Sequence, residues 1–494
     1  MKQLLAISLC FVAWNAGAQV KKNINLNPII PDNIADPSLV MFRDTFYMYA
    51  TTDVDHGLAK GGPPVVWKSV DFKNWSFEGV LEMGMDWSKG YAYTNEKGEQ
   101  RTGYFRYWAP GKPIRRKDRF YLFPTIVTPD DKVGTYVVES DNPAGPFRFI
   151  NGDGVHFPAK DTDAKPIVND IDGEPFVDVD GRTYIFWRQR QAVEVSDDLQ
   201  RQVSKVITVP TLHGAYSEGP GMFRRKDIYY YFYTQSGDAS YANAYMMSRK
   251  TSLDGFEVPS GKNIFIRSDT ATGVWGPGHG NVFQLPGKDE FVFVYLEYGE
   301  GGTTRQVFAN RMVFNADGTI QPVIPDFKGV DIFPSKRKAT ANPFSGAVVT
   351  ASSIRKDRIV KGTIAPDPDL ARTTKGLSTL KVERTATYLP AHTVDGSNGT
   401  RWRAETNDIK PWIQYDLGKV KRIGTIEMFF VFPAYGHAWY LEKSNDGKIW
   451  TRCATQETVA VRSPHLAKNI GKARFIRICV TEGEPGIWEI KHKP

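Results

Sequence analysis

The 494-residue chain is predicted to be all-β, and three observations carry that expectation. The first is the stretch from Tyr216 to Thr234. There Glu218 stands before Gly219-Pro220, Met222 and Phe223 begin a strand, Arg224 to Asp227 makes a polar turn, and an aromatic run returns from Ile228. Proline fixes its own φ and biases the preceding residue away from helix, so this reads as an extended entry followed by a hairpin. The second is recurrence. The same design starts again at Asp36-Pro37, at Trp108-Ala109-Pro110, at Asp172 with Glu174-Pro175, and at Gly278-His279. Five imperfect copies of one hairpin, tens of residues apart, are the signature of a β-propeller. The third is composition: 41% hydrophobic and 13% aromatic residues supply a large β-rich core and room for two or three domains.

Residues 1–18 read as a secretory signal, with Lys2 at the start, an apolar run from Leu4 to Trp14, and Ala16-Gly17-Ala18 as the cleavage site. The run is too short to span a bilayer and no other long uncharged run exists, so a soluble periplasmic or secreted protein is expected. Leu9 before Cys10 is too large for a lipid-anchor signal. Residues 19–335 are expected to form the propeller. Its first strands begin at Asp36, Trp108, Asp172, Glu218 and His279, with outer strands near Val65–Trp75, Val137–Phe147, Val193–Leu199 and Met246–Ser252. The long Gly-, Tyr- and Trp-rich loop from Gly84 to Tyr107 is expected to wall the mouth of a central cavity. Asp36, Asp172 and Glu218 hold matching places in three copies, so their carboxylates are expected to converge. Asp178 and Asp180 belong to an Asp-x-Asp-Gly turn and are read as structural.

A Pro- and charge-rich linker, Pro325 to Lys338, leads to a second domain, 336–494. Each domain has its own apolar core, so a chain cut near Lys336 is expected to leave a folded first domain. Cys453 and Cys479 are read equally as a disulfide or as two buried thiols. The net charge is +8, but the basic residues are scattered and form no stripe, which argues against nucleic-acid binding.

Ala35-Asp36-Pro37-Ser38, Trp108-Ala109-Pro110, the run from Asp172 to Gly181, and Ser217-Glu218-Gly219-Pro220 together resemble glycoside hydrolase family 43 over roughly residues 25–335. The resemblance implies Asp36 as general base, Glu218 as general acid and Asp172 as the group that tunes and orients the acid. An inverting pair stands about 6.5–9.5 Å apart to admit a water, and two propeller blades facing across a channel can hold such a pair. A like charge beside the acid would keep it protonated near neutral pH. Trp108 is expected to wall a sugar subsite, and Arg311 either to bind a sugar hydroxyl or to pair with a blade carboxylate. His279 matches a position facing an axial ion or water, against the alternative of a satisfied core histidine. No cofactor is needed for this chemistry.

Beyond the linker, the segments from Val349, His392, Pro411, Ile423, Ser444 and Ala473 resemble the discoidin, or coagulation-factor C-type, β-sandwich shared by family 32 carbohydrate-binding modules. The insertion between Ser353 and His392 is longer than that fold expects. By the same resemblance Asp395, Thr400 and Glu489 would cradle a structural calcium. Phe432, Tyr435, His437 and Trp439 read as a core strand, with a sugar platform as the alternative.

The expected protein is therefore a monomeric, inverting, exo-acting glycosidase with no nucleic-acid or membrane partner. It would take terminal α-L-arabinofuranose first, β-D-xylose or β-galactose next, from plant cell-wall oligo- or polysaccharide. The alternative is a non-catalytic carbohydrate-binding propeller.

Overall fold

The computed structural model describes residues 26–54, 60–212, 216–235, 238–259, 263–302, 304–331, 342–365 and 379–493. The predicted signal segment and the linker residues around Lys336 lie outside them. Regular structure among the described residues is β-strand, joined by short 3-10 turns.

The first part of the chain is a series of antiparallel meanders. Ile34–Phe42, Thr45–Thr52 and Val65–Ser69 form the first. The second region splits into two sheets. Arg106–Trp108, Thr125–Val127 and Val133–Thr135 make one, and Ile114–Arg116, Arg119–Leu122, Val138–Ser140 and Arg148–Phe149 the other. Glu174–Val177 through Ile207–Thr208 form a four-stranded sheet, Ser217–Arg225 through Ile264–Arg267 another, and Gly278–Gln284, Phe291–Glu297 and Gln306–Met312 the last. The hairpin turns follow the polar pairs seen in the sequence. Arg43, Lys117 and Lys226 take left-handed φ values of 53°, 53° and 56° and reverse the chain.

Adjacent sheets share cores built from their inward-facing aromatic and branched residues. Val40, Tyr49 and Val66 meet Tyr107, Leu122 and Ile126 between the first and second regions. Phe123 and Val137 meet Ile185 and Trp187, and Phe186 meets Tyr231. Phe232 meets Phe293, and finally Phe283 and Val292 pack against Leu39, Phe46 and Trp67, so the last sheet lies on the first. Burying each large side chain contributes roughly 1.5–3 kcal/mol. The strands Ile34–Phe42, Glu174–Val177, Ser217–Arg225 and Gly278–Gln284 thereby come side by side, and their N-terminal ends carry the candidate site.

The second part is a sandwich. A five-stranded sheet (Val348–Ala351, Trp412–Ile423, Gly471–Glu482, His437–Ser444, Thr451–Ala460) faces a four-stranded one (Trp402–Arg403, Gly486–Lys493, Thr425–Phe430, His465–Ala467). Trp402, Ile413, Tyr415, Ile426, Ile476 and Ile487 fill the space between them. The long insertion forms a separate hairpin, Arg358–Ile364 paired with Leu380–Ala386. It lies on the first part of the chain, where Val360 and Ile364 share a core with Ala239 and Trp275.

Phe432, His437 and Trp439 are buried, so they are core residues and no sugar platform. Phe432 packs on Val54 and Trp488, and Trp439 donates its indole N–H to His465. Tyr435 alone of the four is exposed. Cys453 and Cys479 are free thiols, pushed above the ordinary thiol range by burial.

Candidate active site

Four of the repeated motifs carry a left-handed residue. Asp36, Ala109, Asp172 and Gly219 have φ of 50°, 34°, 64° and 51°. Strand pairing skips between Ala35 and Ser38 and between Glu218 and Gly221, so these two entries are bulges. A non-glycine residue there costs of order 1–3 kcal/mol, strain that clusters at working sites. Bulges re-aim side chains, and here they accompany Asp36 and Glu218. One offset differs from the sequence expectation. Glu218 lies opposite Thr234 as Ala35 lies opposite Thr51, so Asp36 matches Gly219, and Glu218 sits one residue earlier. A side chain at Gly219 is disfavoured on two counts: its φ is positive, and a Cβ would stand 2.6 Å from His279 Cγ.

The structure brings Asp36, Asp172, Glu218 and His279 into one connected cluster. His279 Nδ1 lies 3.6 Å from Asp36 Oδ1 and 3.8 Å from Asp172 Oδ2. Thr51 donates to Asp36 Oδ2 at 2.6 Å while accepting from the Ala109 N–H at 2.8 Å, which ties the first acid to the strand end next to Trp108. The Gly219 N–H donates to Asp172 Oδ2 at 2.9 Å, and the Asp172 N–H donates to Thr125. Tyr216 donates to Glu218 Oε2 at 2.6 Å, and Tyr241 donates to Oε1. Trp108 is half-buried, its ring 5.2 Å from the Arg106 guanidinium.

Sequence reasoning missed the partner that decides the charge on Asp36. Arg305 Nη1 lies 3.3 Å from Asp36 Oδ1, and the same guanidinium grips Asp53 through Nε and Nη2 at 2.8 Å each. Burial opposes ionisation of Asp36, but Arg305, His279 and Thr51 together outweigh it and hold the carboxyl below its usual range. Asp172 goes the other way. Burial dominates, the charges of Glu218 and Asp36 add to it, and its pKa is pushed up to about 7 despite His279 and the Gly219 N–H. Burial works against a charged His279, while the surrounding Asp172, Asp36 and Glu218 raise it above the ordinary imidazole range. A second buried acid, Glu174, accepts the Lys112 backbone N–H at 2.7 Å and is pushed by burial up to about 7.

Arg311 lies away from this cluster. It sits near the far end of Gln306–Met312, half-exposed, with Nη1 2.9 Å from Glu290. The pairing alternative holds there, while Arg305, just before that strand's start, is the arginine beside Asp36. Asp178 is structural as expected, accepting from Tyr229 at 2.9 Å and Ser252 at 3.0 Å. In the sandwich, Thr400 donates to Asp395 Oδ2 at 2.7 Å and the Gly396 N–H donates to Glu489 Oε2 at 3.1 Å, so those three residues gather around one turn.

Two ionised or ionisable carboxyl positions, one held charged and one cradled by tyrosines, make a site equipped for acid–base cleavage. Known proteins agree with it. The profile of Glycosyl hydrolases family 43 matches residues 25–320, and that of the F5/8 type C domain matches 377–491. A β-D-galactofuranosidase of Aspergillus niger is 26% identical over 350 residues, 66% of this chain and 94% of that one. An arabinoxylan arabinofuranohydrolase of Bacillus subtilis is 24% identical over 382 residues, 67% of this chain and 71% of that one. A solved structure of a glycoside hydrolase is 38% identical, spans 94% of this chain and 98% of its own, and superposes with a TM-score of 0.80.

Proposed function

The chain belongs to glycosyl hydrolases family 43 and is an O-glycosyl hydrolase, and from that premise we propose a secreted, monomeric, inverting exo-glycosidase whose base is Asp36 and whose acid is Glu218. The observation that carries the assignment is the split environment of the two residues. Asp36 is kept ionised by Arg305 and His279, as a base that activates water must be. Glu218 is held by two tyrosyl hydroxyls. A hydroxyl can donate or accept, so the same cradle fits Glu218 before and after it gives its proton to the leaving oxygen. Asp172 sits between them as the modulator, and Trp108 offers an aromatic wall to the sugar.

The proposed frame is a five-bladed propeller over residues 19–335, released from a signal segment at 1–18 and followed by a discoidin-like domain over 336–494. What supports five blades is the run of shared cores that returns from the last sheet to the first. A closed ring leaves a dead-end pocket, which suits removal of one terminal sugar. Both curated relatives carry names of furanoside-cleaving enzymes, which supports α-L-arabinofuranose as the first substrate, from a plant polysaccharide, with β-D-xylose and β-galactose next. Asp395, Thr400 and Glu489 form an oxygen-only donor set of the kind calcium takes, and would hold such an ion as a structural element.

The test is Glu218→Gln. General acid catalysis contributes typically 10²–10⁴-fold, so kcat on unactivated arabinofuranosides should fall by about that factor and much less on dinitrophenyl arabinofuranoside. Equal loss on both would remove Glu218 from the acid role. Proton NMR of the first sugar released should show inversion at the anomeric carbon.

A further inference from the structure

The hairpin Arg358–Ile364/Leu380–Ala386 has its first strand between the two matched family regions and its second at the start of the F5/8 type C region, and it packs on a turn next to a residue of the site. Its partner is the turn Asp238–Ser240, the residues immediately before Tyr241. Ser240 donates to the Thr363 carbonyl at 2.6 Å and accepts from the Ala365 N–H at 3.0 Å, so both directions of that hydroxyl are used by the hairpin. Ala239 is fully buried beneath it, and a Cβ on Gly362 would stand 2.7 Å from the Ala239 Cβ.

The hairpin is itself anchored. Arg384 reaches the buried Glu297 with Nη1 at 2.9 Å and Nη2 at 3.3 Å, lies 4.7 Å over the Trp275 ring, and also donates to the Gly299 carbonyl. Nearby, Arg401 pairs with Glu300 at 2.6 Å and Tyr388 donates to Glu300 at 2.8 Å. These are charge-assisted contacts in which Glu297 and Arg401 are buried and Arg384 is partly exposed.

We propose that this hairpin is a positioning element for catalysis: it clamps the turn before Tyr241 and so fixes the hydroxyl that orients Glu218. The proposal rests on Glu218 as the acid. A carboxyl free to swing misses the leaving oxygen, and misplacement by about 1 Å can cost roughly 10²-fold. The loss should fall on the step that needs the proton and spare substrate binding.

The full-length protein tests this through Gly362→Val, whose added methyl groups push on Ala239, and through Ser240→Ala, which deletes only the clamped hydroxyl. Expected for each is a 10–100-fold fall in kcat on phenyl α-L-arabinofuranoside, a much smaller fall on the dinitrophenyl glycoside, and KM within about twofold. Tyr241→Phe should show the same pattern, and Gly362→Val combined with it should be no worse than Tyr241→Phe alone. Should Gly362→Val fail to fold, Ser240→Ala carries the same expectation. Folded variants with unchanged kcat, equal losses on both substrates, or additive losses in the double variant would each overturn the clamp. Leaving-group dependence in Glu218→Gln without any in these variants sinks the clamp and leaves the acid assignment standing. Its absence in Glu218→Gln sinks the acid assignment first.

Discussion

Arg305 does for Asp36 what solvent cannot. The two side chains are each only 11% exposed, and a buried carboxylate without a cation would take up a proton instead. An opposite charge at this range lowers an Asp pKa by about 1–3 units. Arg305→Gln should therefore move the acidic limb of kcat/KM upward by about that much, measured as a pH profile on an aryl glycoside. The stability consequence has the same sign. Asp36 is lower in the folded state, so its contribution is present above the unfolded value and lost as pH falls through the folded one. Asp172 is raised to about 7, so the folded protein binds an extra proton between about 4 and 7 and loses stability as pH rises across that window. Asp172→Asn keeps the acceptor for the Gly219 N–H and removes that liability. Its melting temperature should exceed that of the wild type at pH 8 while kcat drops, checked by thermal denaturation beside a rate assay.

At the level of strands and turns, the bulged entries explain both what the sequence disclosed and what it concealed. Asp36, Asp172 and Glu218 were legible because each stands in a repeated acid, glycine or proline setting, and repetition alone placed them near one axis. The one-residue offset of Glu218 was hidden, since a bulge changes facing without changing the motif. Arg305 and Tyr241 come from segments that join strands and carry no period, so nothing in the chain's pattern marked them. Thr51 and Thr125 were readable in principle: both stand on second strands beside a first-strand entry, and each bonds the entry of the next region. The bulge makes a direct prediction. Gly219→Ala forces a side chain to φ of 51° and into His279, so it should destabilise by more than about 1 kcal/mol and reduce kcat, read from denaturant midpoints and initial rates.

Across the whole molecule, the two parts are joined by more than the linker. The pairing of Phe77 with Ser463, the side-chain bonds of Asn398 to the Pro28 and Ile29 carbonyls, and the Arg384–Glu297 pair all cross between them. Beside the separate core of the second part, these contacts make a direct interface between the two parts. The overlong insertion was visible in the sequence, but its polar alternation gave no hint of a docking surface on another domain. Removing Arg384 would leave the buried Glu297 carboxylate without its cation, which is destabilising. Calorimetry of the wild type should accordingly show one cooperative transition, and Arg384→Ala should lower it or split it into two.

Laboratories often recombine carbohydrate-active enzymes by exchanging appended domains at the seams between recognised families. Here the seam between residues 320 and 377 runs through the hairpin that sits against Ala239 and Trp275. A chimera cut there would carry half of that surface and strand Glu297 without its arginine. Residues 358–401 have to travel with the glycosidase half, and the portable cassette is the nearly complete chain.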